Sequence, residues 1–149
     1  MNIVFFEPEI PQNTGTTGRL CAATNTVFHL VGRLGFSLDE KKVKRAGLDY
    51  WPYLDLRQYA TWEEFKEKNP GRYIMFTVHT DKPYTDIEFK EDDYLVFGRE
   101  TKGLPKEWIK DNDLAVTIPM YSEHVRSLNL STTSGIALYE ALRQTRGKK

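Results

Sequence analysis

Four short stretches concentrate the side chains that could do chemistry: Glu7 to Asn13, His79 to Pro83, Gly98 to Pro105 and Pro119 to Leu130. The common reaction signatures are missing from them. Gly98-Arg99-Glu100-Thr101-Lys102-Gly103 opens like a phosphate-binding loop, but Leu104 stands where that loop requires lysine and no serine or threonine follows, which excludes a nucleoside triphosphatase. Neither G-x-G-x-x-G nor G-x-S-x-G occurs, so a dinucleotide fold and a hydrolase elbow lose their sequence support. Gly15-Thr16-Thr17-Gly18 matches the G-x-x-G of one RNA-binding module, a pattern of low information. The single Cys21 cannot form an intrachain disulfide and reads as a small core residue, and histidines at 29, 79 and 124 without partner cysteines make no zinc pattern, so no metal is expected.

Read one at a time, the remaining polar residues have ordinary explanations. Arg19 suits a solvated helix face, Asn13 a helix cap, Glu100 a turn carboxylate, and Ser127 with Asn129 a helix start. The density of Arg126, Ser127 and Asn129 within one segment after Pro119 favours a pocket. Lys41, Lys42, Lys44 and Arg45 could form a solvated face; beside Tyr50 and Trp51 they also offer charge for phosphates and rings for bases.

The elements that must position these groups follow from punctuation and periodicity. Asn2 to Phe6 reads as a buried strand ended by Pro8 and Pro11, Asn13 and Thr14 as caps of a helix running to Asn25, and Val27 to Val31 as a strand. A short basic helix from Asp39 to Ala46 should stop at Gly47, and Leu48 to Pro52 is aromatic and irregular. Thr61-Trp62-Glu63-Glu64 is a capping box, opening a helix that ends at Asn69-Pro70-Gly71. Strands are expected at Arg72 to Val78, Tyr94 to Phe97 and Ala115 to Ile118, a helical turn at Pro105, and a last helix from Leu130 to Arg143. Alternating strands and helices predict a three-layer α/β/α domain spanning 1–149 around a mostly parallel sheet, with its ligand site at the carboxyl ends of the strands. Hydrophobic residues at 40% and charged residues at 28% exclude disordered and collagenous classes. Net charge is zero, so an RNA partner would need a local basic patch. No apolar run approaches the about 18 residues of a membrane span, and Glu7 and Pro8 interrupt the N-terminal apolar run before a signal-peptide core develops; no membrane partner and a cytoplasmic location are expected.

Three loops read together carry a resemblance. Asn13-Thr14-Gly15 with Arg19, then Phe97 to Pro105, then Ile118-Pro119-Met120 with Arg126-Ser127-Leu128-Asn129-Leu130-Ser131 resemble the ordered motifs of the knotted SPOUT-class RNA methyltransferases. Glu7-Pro8-Glu9-Ile10-Pro11, Arg45 to Tyr50 and Tyr139 to Gln144 extend the resemblance to the short subgroup that methylates the ribose of the tRNA wobble nucleotide. Departures from the pattern are Arg99 in place of proline, Gly18 in place of an apolar residue, and a longer loop at Ser122 to Val125.

The resemblance implies a C-terminal trefoil knot whose loops hold S-adenosylmethionine against Phe76, Gly98, Ile118, Met120, Ser127 and Leu128. It implies chemistry carried by Arg19, Asn13, Glu100, Ser127 and Asn129, and contacts from Arg19, Lys44, Arg45 and Arg126 to a tRNA anticodon loop. Gly98 is expected to be glycine because adenosine needs its space. The last helix carries a small-residue stripe, Ser134, Ala137 and Ala141, beside a second stripe of Gly135, Tyr139 and Leu142. One face should pack on the sheet and the other on a second copy, with Tyr139 at a homodimer interface, as in the family. A ribosomal-RNA methyltransferase and a noncatalytic RNA-binding protein of the same fold are the competing readings.

Overall fold

Along the first strand, β1 (Asn2–Phe6), alternation decides the layering: Ile3 and Phe5 enter one core and Val4 a second, and all three are fully buried. A strand buried on both sides belongs in a parallel sheet with helices on each face. The structure, a computed structural model, describes residues 1–38 and 49–146. The expected basic helix, with Lys41, Lys42, Lys44, Arg45 and the Gly47 stop, lies outside the described residues.

With β1, strands β2 (Val27–Val31), β3 (Leu56–Tyr59), β4 (Tyr73–Phe76), β5 (Tyr94–Phe97) and β6 (Ala115–Val116) form a six-stranded sheet ordered β3-β2-β1-β5-β4-β6. Every pairing in it is parallel. Helices α1 (Pro11–Thr24) and α4 (Leu130–Arg146) supply Cys21, Ala137, Leu138, Ala141 and Leu142 to the core around Phe5, Phe28, Phe76 and Phe97. Helices α2 (Trp62–Lys68) and α3 (Lys106–Ile109) close the opposite face, where Trp62 stacks on Trp108 at 4.3 Å. The expected three-layer α/β/α arrangement is therefore observed. Because β4 lies between β5 and β6, the chain leaving β5 must cross β4 to reach its last strand.

Several elements differ from expectation for local reasons. Helix α1 begins at Pro11, with Ile10 rather than Asn13 at the cap, because proline's fixed φ suits a first turn; Asn13 lies inside the helix, its side chain free for other work. Strand β3 was not anticipated: Leu56-Arg57-Gln58-Tyr59 is an edge strand with two exposed polar residues, too short and too polar to announce itself. Strand β4 stops at Phe76 and β6 at Val116, short of Val78 and Ile118. At the end of β6 the chain changes partners: the Thr117 N–H donates to the Lys82 carbonyl at 2.8 Å and its carbonyl accepts from the Tyr84 N–H at 2.8 Å. Helix α4 runs to Arg146, three residues beyond Arg143. Its expected second stripe is divided: Leu142 is buried in the core, a Cβ on Gly135 would lie 3.9 Å from Leu20 of α1, and Tyr139 alone stays exposed, at 58%. The Thr61 capping box forms as expected, the Glu64 N–H donating to the Thr61 hydroxyl at 3.1 Å and the Ala60 N–H to the Glu64 carboxylate at 2.8 Å.

His29, fully buried in β2, joins β1 to β3. Its Nδ1 lies 3.2 Å from the Tyr59 hydroxyl and its Nε2 3.0 Å from Asn2 Oδ1. Burial, aided by the charge of Arg57, lowers its pKa from 6.5 to about 4. The unfolded chain therefore takes up this proton first as pH falls, so His29 favours the folded state fully above pH 6.5 and loses that contribution between 6.5 and 4. Denaturant titrations should show wild-type stability falling by up to about 3 kcal/mol more than that of His29→Leu across this window. Parallel pH profiles for the two proteins would refute the assignment.

Candidate active site

The carboxyl ends of β1, β4, β5 and β6 open onto a cavity of about 520 Å³, within the range of small-molecule and cofactor sites. It is lined by the whole expected cofactor set, Phe76, Gly98, Ile118, Met120, Ser127 and Leu128, and also by Asn13, Glu100, Arg126 and Asn129. Residues separated by more than a hundred positions in the chain thus share one wall. Arg19 is not in that lining; it is exposed on α1, and among the described residues it has no ion-pair partner. Lys44 and Arg45 lie outside the described residues.

A chain of side-chain hydrogen bonds ties the three loops together. Glu100 accepts the backbone N–H groups of Glu9 and Ile10, each at 2.8 Å, and the Asn13 amide at 3.1 Å. It thereby satisfies donors at the N-terminus of α1, which has no side-chain cap of its own. Asn13 Oδ1 in turn accepts from Asn129 Nδ2 at 3.0 Å, and Asn129 Oδ1 accepts the Ser131 and Thr132 N–H groups at 2.9 and 3.3 Å, capping α4. A reverse clamp completes the join: Glu9 accepts the Thr101 N–H at 3.0 Å and the Thr101 hydroxyl at 2.8 Å, bonds that hold its carboxyl below the usual pKa. Sequence reasoning did not single out Glu9; its only signal is membership of the Glu7 to Pro11 stretch.

Gly98 is glycine for a different reason from the expected one. A Cβ there would lie 2.1 Å from the Gly103 carbonyl carbon and 2.2 Å from the Leu104 nitrogen, so the requirement comes from the chain's own turn. That turn is pinned by Arg99 N–H to the Gly103 carbonyl at 3.3 Å and Gly103 N–H to the Arg99 carbonyl at 2.8 Å, with Gly103 at φ +66°. Arg99 points its guanidinium at the Phe6 ring, 5.9 Å from the centroid, and lies 3.5 Å from the Glu7 carboxylate. Tyr50, expected to offer a ring to bases, is half-buried with its hydroxyl donated to the Gly15 carbonyl of α1. Cys21 is fully buried and its thiol pKa is raised by burial, as a core residue requires. Among the described residues no group of histidine, cysteine, aspartate or glutamate could hold a metal.

The sequence signature of the SpoU rRNA Methylase family matches residues 1–139. The chain belongs to that family. A Bacillus subtilis (strain 168) relative is 50% identical, the match covering 97% of this chain and 92% of the other. A Methylovorus glucosotrophus (strain SIP3-4) protein named tRNA (cytidine(34)-2'-O)-methyltransferase is 46% identical, with 96% of this chain and 94% of the other covered. A solved structure described as giving insight into 2-OH methylation of C/U34 on tRNA superposes with a TM-score of 0.91 at 43% identity, covering 96% and 94% of the two chains. Another SpoU methyltransferase, AviRb from Streptomyces viridochromogenes, solved with the cofactor AdoMet, gives 0.86 at 25% identity, with 97% of this chain and 60% of that one covered.

Two substitutions separate the roles within this SpoU-family site. Gly98→Val should lower the thermal midpoint and the folded yield, because the added atoms meet backbone; unchanged melting would disprove the packing argument. Glu100→Gln keeps the size but turns an amide donor toward backbone donors, and should cost about 1–3 kcal/mol in denaturant titration.

Proposed function

We propose that this protein transfers a methyl group from S-adenosylmethionine to the ribose 2'-oxygen of the wobble nucleotide, cytidine or uridine, in the anticodon loop of tRNA. The observation that carries the reading is the convergence of the three motif loops on one cavity, in a chain that matches tRNA 2'-O-methyltransferases along nearly its whole length. The residues present fit the cofactor. Phe76, Ile118, Met120 and Leu128 offer apolar walls for adenine, the Ser127 hydroxyl and the irregular backbone of 118–128 offer polar partners, and Lys102 and Arg126 offer charge to a carboxylate. When bound, S-adenosylmethionine would supply an electrophilic methyl on a sulfonium, so transfer is a single displacement without a covalent enzyme intermediate: the O–CH3 bond forms as the S–CH3 bond breaks, S-adenosylhomocysteine leaves as the neutral thioether, and the 2'-hydroxyl proton passes to water.

In this reading the cavity walls hold and orient the donor, while Arg19 meets the ribose from α1. A guanidinium is a poor proton acceptor because it is already cationic, so Arg19 acts by stabilising the developing alkoxide or a neighbouring phosphate rather than as a base. Glu100 spends both oxygens on three N–H donors and, with Asn13 and Asn129, acts by positioning. Arg126, Lys44 and Arg45 would contact tRNA phosphates. We further propose one catalytic domain over the whole chain, a knot made where the chain crosses β4, action in the cytoplasm, and a homodimer through α4. Tyr139, with Tyr121 at 97% and Val125 at 51% exposure, supports such an interface.

Labelled S-adenosylmethionine incubated with total RNA should mark tRNA at the wobble ribose. Label in ribosomal RNA would redirect the substrate, and no label in any RNA would favour a noncatalytic protein. Arg19→Ala should melt like wild type, within about 0.5 kcal/mol, and lose nearly all turnover. Sedimentation at micromolar concentration should show a dimer that Tyr139→Asp dissociates; an active monomer would remove the interface.

A further inference from the structure

Nothing on the guanidinium side of Arg19 holds it in place among the described residues, so its position depends on the backbone turn that carries it. That turn has an unusual neighbour. The Tyr50 hydroxyl donates to the Gly15 carbonyl, the acceptor that in a regular helix also takes the N–H of residue 19. The phenol therefore adds a second donor to the carbonyl that closes the helical turn between positions 15 and 19, and ties that turn to the 50–54 segment. Burial raises the phenol pKa against the pull of the Arg19 charge, so the group is a neutral donor at physiological pH.

Space for the ring is provided by Gly18, one of the three places at which this sequence departs from the resembled pattern. A Cβ on Gly18 would lie 3.2 Å from Leu54 Cδ2, 3.4 Å from the Tyr50 hydroxyl and 3.5 Å from Tyr50 Cε2, so neighbours would have to yield. Gly15 and Gly18 are both buried beneath the segment that carries Tyr50. The segment is itself a tight turn, with Tyr53 N–H donating to the Tyr50 carbonyl at 2.8 Å and Leu54 N–H to the Trp51 carbonyl at 3.2 Å. The ring is thus delivered by a pre-formed support onto α1 where positions 15 and 18 carry no side chain.

We propose that Tyr50 is a positioning residue for Arg19, its phenol fixing the α1 turn that aims the guanidinium at the reacting ribose, with Gly18 as the opening that admits it. This rests on the methyl-transfer reading above for its catalytic consequence, though not for the placement itself. Tyr50 touches neither cofactor nor substrate in this account; it acts through Arg19.

The test compares wild type, Tyr50→Phe, Arg19→Lys and the double variant. Tyr50→Phe should keep its thermal midpoint within about 2 °C and its S-adenosylmethionine affinity within about twofold, while kcat on tRNA falls by about tenfold or more with KM changed by less than about threefold. In the double variant the loss should be smaller than the product of the single losses, since both changes act on one guanidinium. Multiplying losses, or wild-type kcat in Tyr50→Phe, would overturn the proposal. Amide hydrogen exchange at Arg19, read without substrate, should accelerate in Tyr50→Phe. Unchanged exchange would overturn the placement even if the wild-type protein methylated no RNA, an outcome that would by itself sink only the methyl-transfer reading.

Discussion

The Glu100 carboxylate is the contact on which the geometry of the site depends. A helix that begins with Pro11 and has Ile10 at its cap leaves backbone N–H groups without a local acceptor, and a negative group at that end also meets the positive pole of the helix. Glu100 arrives from β5, about ninety residues further along the chain, and takes up those donors together with the Asn13 amide. The orientation of α1, and hence of Arg19, is thus set by the end of the central strand rather than by the loop that precedes the helix. The same strand end carries Gly98, so helix orientation and cavity wall are fixed by adjacent residues.

The parallel sheet makes this possible. Strands β1 and β5 are neighbours in register, Phe5 opposite Phe97, so their outgoing loops leave side by side and can bond reciprocally. Glu9 to Thr101 and Glu100 to Glu9 and Ile10 are the visible result, two loops each capping the other. The third loop is brought in by α4, whose first turn is capped by Asn129.

Much of this was legible in the sequence. The boundaries of β1, β2 and β5, the Thr61 cap and the set of cavity residues all follow from local chemistry or from the ordered motifs. What was not legible depended on partners distant in sequence. Asn13 looked like a cap because only its neighbours were visible, whereas its partners are Glu100 and Asn129. Gly98 was assigned to the ligand because the return of the chain at Gly103 to Leu104 cannot be read from spacing. Strand β3 is held by pairing with β2 and carries too few apolar residues to predict on its own.

The run from Glu100 through Asn13 to Asn129 has a direction. It starts at a group that only accepts, ends at helix N–H groups that only donate, and each amide between must accept on one side and donate on the other. Aspartate at 13 or 129 would supply only acceptors, and a lysine only donors, so neither could be exchanged without reversing its neighbours as well. The polarity of these positions is therefore set jointly: a change of donor to acceptor at one link leaves its neighbour facing a like group unless that neighbour changes too.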